Sequence, residues 1–195
     1  KQSKLVCTDL IQGTYDLDKR DKKLIKYLSD HNHLSPFNHA SATFVCKAPI
    51  FVARQLVKHE YMPWNEVSRR YVDDEPEFYV PDVWRGRSAD KKQGSDGEVK
   101  LGTLDAAIVS DSPYDALSAY KALLKSGVAP EQARMVLPQS VMTEWYWTGT
   151  LGAIAKMCNL RCKPDTQYET RLIADQISSK MGELFPVSWE ALMNE

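Results

Sequence analysis

The sequence predicts an α+β protein. Apolar residues recur at helical spacing over several long stretches, two shorter stretches rich in β-branched and aromatic residues read as strands, and no segment repeats another. With 195 residues, the chain is expected to form one domain spanning 1–195 around a single core.

Residues 19–31 set Leu24, Tyr27 and Leu28 at helical spacing among lysines and aspartates, the pattern of an amphipathic surface helix. The turn-rich His33-Leu34-Ser35-Pro36-Phe37-Asn38 follows, and residues 41–47, rich in Thr, Phe and Val, then read as a strand. Pro49 suits the first turn of a helix running to about His59. Alternation over residues 67–80, broken by Asp73-Asp74-Glu75-Pro76, predicts a bent strand pair. Between 85 and 100 Gly, Ser, Asp and Lys dominate, which predicts a mobile surface loop that orders over a ligand.

Residues 101–126 read as helical, with Ser112-Pro113-Tyr114-Asp115 as a capping box that restarts the helix and Gly127 as its C-terminal cap. Pro130 opens a shorter helix that ends near Leu137. A strand over 140–147, a helix to about Cys158 and a last long helix over 166–184 complete the chain.

Lys plus Arg (25) nearly balance Asp plus Glu (26), so no whole-molecule field draws the protein to nucleic acid or to an anionic membrane. Any nucleotide has to be held by local charge. The apolar stretch 48–57 is interrupted by Arg54 and Gln55 and falls short of the roughly 20 residues that span a bilayer. No basic-apolar-small leader pattern is visible, and the four cysteines (Cys7, Cys46, Cys158, Cys162) form no dense framework, so a reducing cytoplasm is expected. No metal-ligand set is assigned.

Two clusters carry chemistry. Residues 55–71 crowd polar and ionisable side chains around few core positions; a solvated helix end and loop is the plain alternative. Arg134, in Arg134-Met135-Val136-Leu137-Pro138, and Arg161, in Asn159-Leu160-Arg161-Cys162, are each flanked by apolar residues that draw them inward. An inward arginine keeps its charge and wants an anion or carbonyl partner, with a structural ion pair to a glutamate as the alternative.

The order of these residues resembles the flavin-dependent thymidylate synthases, whose signature is Arg-His-Arg, seven residues, then Ser. Here Lys58-His59-Glu60 is followed at the same spacing by Ser68. The flanks Lys47-Ala48-Pro49-Ile50-Phe51-Val52-Ala53-Arg54-Gln55 and Asn65-Glu66-Val67-Ser68-Arg69-Arg70-Tyr71 agree, as do His33-Leu34-Ser35-Pro36-Phe37, Ala133-Arg134-Met135-Val136-Leu137-Pro138, Trp145-Tyr146-Trp147-Thr148 and Leu160-Arg161. The similarity covers residues 24–192. The family carries a further strand ahead of its first helix, and the expectation is that the chain as given lacks part of its natural N-terminus.

The resemblance implies a central, mostly antiparallel sheet flanked by helices, in a homotetramer whose FAD and dUMP sites lie at subunit contacts, so that Arg161 serves a neighbour's site. It implies conversion of dUMP to dTMP with methylenetetrahydrofolate as one-carbon donor and NADPH as reductant of FAD. Ordinary thymidylate synthases activate the ring with a cysteine in a Pro-Cys-His setting, a tripeptide this chain lacks. In the flavin-dependent family the arginine matching Arg161 instead stabilises charge developing on the pyrimidine, which makes Arg161 the catalytic residue. Cys158 and Cys162 read as core thiols.

By the same carry-over, Gln55, Lys58, Glu66, Ser68, Arg69, Arg70, Arg134 and Arg161 contact dUMP, the arginines on its phosphate through paired hydrogen bonds. Ser68 has no adjacent base to make it a nucleophile. FAD falls to His33, Ser35, Asn38, Lys58, His59, Glu60, Glu66, Thr150, Gly152 and Lys156. Lys58 keeps a cation but loses the guanidinium fork, Glu60 reverses the charge, Gly152 stands where a side-chain donor is common, and Lys156 restores one positive charge. These departures leave two alternatives open: dUMP hydroxymethylation on the same fold, or a dUMP-binding protein without turnover.

Overall fold

A computed structural model describes residues 17–71, 74–89 and 94–193. Cys7, the expected missing N-terminal strand, Asp73 of the acidic patch and the middle of the 85–100 segment lie outside the described residues.

Helix α1 (Lys19–Asp30) starts where Asp18 accepts from the backbone of Arg20 at 2.6 Å and Asp21 at 2.9 Å while the Asp21 carboxylate answers the Asp18 N–H, a reciprocal capping box. Leu24 and Tyr27 stay exposed, and the helix instead turns Ile25, Leu28 and the buried Ser29 inward, where the Ser29 hydroxyl donates to Ala191 O at 2.9 Å. A 3-10 turn, Ser35–Asn38, leads to β1 (Ser41–Pro49). Pro49 closes that strand and also stands as N-cap of α2 (Ile50–Leu56), three residues shorter than the expected His59 end.

Strand β5 (Met142–Thr150) is the middle of a three-stranded antiparallel sheet, paired with β1 from Ser41↔Thr150 to Pro49↔Met142 and on its other side with β2 (Trp64–Glu66). Its period-two pattern turns Trp145, Trp147 and Gly149 inward, while Glu144 and Tyr146 stay outward. Trp64 stacks on Trp145 at 4.3 Å between ring centroids and 15°, a pair contributing about 0.5–1.5 kcal/mol beyond its buried area.

Helices α5 (Leu151–Arg161), α6 (Tyr168–Leu184) and α7 (Pro186–Met193) pack their apolar sides with α2 and the inner sheet face around Val52, Leu56, Ile154, Met157 and Met181. The separate helix α7 was not expected; Pro186 opens it with only Phe185 between it and the end of α6. The other sheet face leaves Val45 and Tyr146 exposed.

Three further expectations fail. Residues 67–80 form no strand pair among the described residues: a turn at Arg69–Tyr71 follows β2, and only Phe78 bridges the main sheet, opposite Val141. The capping box at Ser112 does not restart a helix, because α3 (Thr103–Lys125) runs unbroken through Pro113, and the hydrogen bonds on either side carry it past the one missing N–H. The 85–100 segment contains a hairpin, β3 (Arg85–Arg87) with β4 (Ser95–Glu98), fixed by tertiary contacts that outweigh its poor strand composition: Ser88 to Asp96 at 3.1 Å and Arg85 to Glu169 at 2.6 Å. Gly127 does close α3, in the left-handed conformation at φ 82°, with Val128 N reaching back to Leu123 O at 3.0 Å. The helix opened by Pro130, α4 (Pro130–Ala133), tightens into a 3-10 turn at Arg134–Val136, close to the expected end.

Candidate active site

The expected site residues fall into three groups. The first follows β2. Glu66, Ser68, Arg69, Arg70 and Arg134 line one cleft of about 320 Å³ together with Thr143. Glu66 is already engaged, accepting from Thr143 at 2.7 Å and from the Trp64 indole at 3.0 Å. Arg70 is tied at Nε to Ser68 Oγ at 3.2 Å and lies over the Tyr71 ring at 5.0 Å, whereas Arg69 turns to Asp74 O at 3.0 Å. Arg134 comes from the turn after α4, and among the described residues its side chain donates only to Glu131 O at 3.2 Å. Among the described residues neither Arg70 nor Arg134 has a carboxylate partner, so two guanidinium groups point their charge at one cleft.

The second group sits where α5 ends beside α2. Arg161 donates through Nε to His59 Nε2 at 3.0 Å and through a terminal nitrogen to Gln55 O at 3.2 Å. An arginine only donates, so His59 Nε2 is the acceptor and the ring proton sits on Nδ1. Burial, with Arg161 and then Lys156 adding their charges, pushes the His59 pKa down to about 4. The ring is neutral at pH 7 as that bond requires. Arg161 also has no ion pair among the described residues, so the expected alternative of a structural salt bridge is not what holds it. With Gln55, Lys163 and Gln167 it lines a cavity of about 430 Å³ that shares no residue with the Arg134 cleft.

The third group surrounds the start of α5. Asn38, Thr150, Gly152 and Lys156 line a cavity of about 660 Å³. Thr150 caps α5 by accepting from Ala153 N at 3.2 Å while its hydroxyl donates to Asn38 Oδ1 at 2.9 Å. A Cβ on Gly152 would stand 2.8 Å from that same Oδ1, so glycine leaves the space Asn38 fills. Two non-glycine residues in the left-handed region, Asn32 at φ 55° and Tyr61 at φ 61°, also line this cavity, Tyr61 being where the chain turns out of the Lys58-His59-Glu60 stretch. His33, Ser35, Lys58 and Glu60 are exposed and do not line it. Amide, hydroxyl and one lysine around a mainly apolar space of this size fit part of a dinucleotide cofactor.

The structure adds a group the sequence reasoning missed. Glu169 in the first turn of α6 is bound by Arg85 at 2.6 Å and by Gln167 Nε2 at 3.1 Å, and the Arg85 guanidinium lies 3.8 Å above the Tyr168 ring. In sequence Glu169 is an ordinary acid at a helix start; the available signal was Gln167 two residues before it and four before Arg171. Tyr79 faces the same cluster, its pKa raised by burial and then by Glu169. Among the described residues no set of His, Cys, Asp or Glu is placed to hold a metal, and no helix is long and apolar enough to cross a membrane.

A three-stranded antiparallel sheet packed by helices, with clefts that present arginines without carboxylate partners among the described residues, defines the class, an α+β protein. The family model described as thymidylate synthase complementing protein matches residues 3–187. Flavin-dependent thymidylate synthases of Thermosipho africanus and Kosmotoga olearia are 39% and 41% identical to it over 179 and 178 residues, 90% of this chain in each case and 78% and 77% of theirs. The flavin-dependent thymidylate synthase of Thermus thermophilus is 40% identical over 173 residues, and the chain spans 64% of that relative's length. Among solved structures, the UMP/dUMP methylase PolB from Streptomyces cacaoi bound with 5-Br dUMP matches with a TM-score of 0.78 at 33% identity, covering 91% of this chain and 81% of that one. The chain belongs to the family of the flavin-dependent thymidylate synthases.

Proposed function

We propose that the chain acts as an FAD-dependent thymidylate synthase, converting dUMP to dTMP with methylenetetrahydrofolate as one-carbon donor and NADPH as reductant. Family membership supports this, and the observation that carries it is Arg161, clamped by neutral His59 and the Gln55 carbonyl yet without a carboxylate to cancel its charge among the described residues. C5 of uracil is a weak nucleophile. A guanidinium fixed against the ring would stabilise negative charge on N3 and the adjoining carbonyl, which makes C5 electron-rich enough to attack, an effect of about 10²–10³ in rate for one such donor.

Two of the thiols, Cys46 and Cys158, do not offer the alternative route. Burial pushes the Cys46 pKa up to about 11, and the hydrogen bond to Cys162, with burial, raises that of Cys158 further, so neither is a thiolate. Ser68, Arg70 and Arg134 hold the phosphate, with Glu66 and Arg69 at the rim. Asn38, Thr150, Lys156 and the backbone at Gly152 hold FAD, which when bound supplies the hydride, while His33, Ser35, Lys58 and Glu60 lie along its outer edge and His59 reaches it from the Arg161 side. Lys58 keeps one cation there, and Glu60 weakens the attraction. The Arg134 and Arg161 clefts share no lining residue in one chain, and on the family resemblance a nucleotide meets both where subunits of a homotetramer face each other and share sites. The free thiols Cys46, Cys158 and Cys162 go with a cytoplasmic location.

The test is product mass. Incubation with dUMP, methylenetetrahydrofolate, NADPH and FAD gives a nucleotide heavier by one methylene unit; a hydroxymethyl gain, or binding without product, overturns the assignment. The structural neighbour from Streptomyces cacaoi is a methylase of UMP as well as dUMP, so UMP belongs in the same assay as the second substrate.

A further inference from the structure

Glu169 lies at one end of a chain of hydrogen bonds whose polarity is forced. Its side chain is 13% exposed, with Oε1 on Arg85 at 2.6 Å and Oε2 accepting from Gln167 Nε2 at 3.1 Å. Arg85 is itself steadied by Ser95 Oγ at 3.0 Å and by the Tyr168 ring beneath it. The other amide atom of Gln167, Oε1, accepts from Gln55 Nε2, and Gln55 and Gln167 line the Arg161 cavity together.

An ionised carboxylate only accepts. Gln167 must therefore turn its NH₂ to Glu169 and its carbonyl to Gln55, and Gln55 must commit its NH₂ in turn. A flip of either amide sets two acceptors or two N–H groups against each other in a half-buried place. The side-chain oxygen of Gln55 is then left as an acceptor, on the residue whose backbone carbonyl holds Arg161 at 3.2 Å and which lines the same cavity.

We propose that Glu169 is a positioning residue that, through Gln167, fixes Gln55 as a hydrogen-bond acceptor and so makes the Arg161 cleft select a uracil-type ring over a cytosine-type ring. Uracil carries an N–H between two carbonyls, which matches an acceptor placed beside a guanidinium. Cytosine carries a bare ring nitrogen at that position, which meets the Gln55 oxygen lone pair to lone pair. The inference rests on the dUMP reading above, in which the phosphate is anchored in the Ser68, Arg70 and Arg134 cleft and sets the register of the ring.

The experiment is calorimetric binding of dUMP and dCMP to the FAD-loaded full chain and to three variants: Glu169→Gln, Gln167→Leu, and Glu169→Gln combined with Gln55→Glu. The unaltered chain is expected to prefer dUMP by about 10²-fold or more, as sites built around a substrate N–H do. Each single variant is expected to lower that preference below about tenfold. Gln55→Glu puts an obligatory acceptor back at the cleft, so the combined variant regains the preference, an outcome that mere structural damage at position 169 does not produce. Should Glu169→Gln fail to fold, Gln167→Leu decides, because it leaves the Arg85–Glu169 pair in place. Undiminished preference in a folded single variant, or no rescue, overturns the relay. Failure of the unaltered chain to bind dUMP overturns instead the functional reading beneath it.

Discussion

Arg134 and Arg161 offer the same guanidinium group in two different ways. Arg134 is exposed and, among the described residues, its side chain is tethered only to a carbonyl three residues away, at 3.2 Å, so its head is free to swing. Arg161 is half-buried and clamped from two sides by residues about a hundred positions away in sequence. A local tether serves capture, where charge matters more than angle, whereas a two-sided clamp serves chemistry, where a donor has to be aimed before charge develops. Substitutions at the two arginines and around them test that division.

The largest effect is expected at Arg161→Ala, which lowers kcat by about 10²–10³ in single-turnover assays while the thermal melt is little changed. Arg161→Lys is expected to recover little, since a single ammonium cannot bridge His59 and the Gln55 carbonyl and still face the ring. Next come Arg134→Ala and Arg70→Ala. Each is expected to weaken dUMP binding about ten- to hundredfold and to flatten its salt dependence, with kcat at saturation kept. A fall in kcat as large as that of Arg161→Ala would erase the distinction between the two clefts.

A smaller change follows from Gly152→Ala, whose Cβ displaces the Asn38 amide from Thr150. It is expected to cost about 1 kcal/mol of stability, because the amide end can swing, and to weaken FAD binding measurably by flavin fluorescence titration.

Acid probes the clamp itself. The His59 pKa of about 4 lies below its ordinary 6.5, so between those values the unfolded chain binds more protons than the folded one, and stability rises with pH across that window. The contribution is complete above about pH 6.5 and is lost as pH falls toward 4; urea midpoints measured over that range should show the slope, and His59→Asn should reduce it. Protonation of the folded protein, centred near pH 4, turns Nε2 from acceptor to donor and releases Arg161, so kcat is expected to fall there, at the acid end of that window. The smallest effect is expected for Cys162→Ser, within about 0.5 kcal/mol of stability and with turnover kept. A large loss there would restore a thiol mechanism.

Much of this was legible in the residues themselves. The amphipathic first helix, the two long strands, the Gly127 cap and the arginines Arg70, Arg134 and Arg161 followed from composition, spacing and resemblance, and all of them occupy elements or clefts of the structure. The strand β2 at Trp64–Glu66 escaped because three residues carry too little alternation to register, and only pairing with Trp145 and Trp147 makes them a strand. The β3–β4 hairpin escaped for the opposite reason: its residues favour loop, and an ion pair to α6 overrules them. The expected FAD set divided: Asn38, Thr150, Gly152 and Lys156 line one cavity, His33, Ser35, Lys58 and Glu60 are exposed and do not line it, and His59 and Glu66 stand at the Arg161 and Arg134 clefts.

By itself the sequence determined the long helices, the two long strands and which charges are available, since periodicity, capping and residue type act over a few neighbouring positions. Only the tertiary structure decided what each charge touches. That His59 is neutral, that Arg161 is aimed, and that Glu169 sets the polarity of two amides all depend on side chains brought to within about 3 Å across long stretches of chain. Desolvation and hydrogen-bond direction arise only from that contact, and no local pattern encodes them.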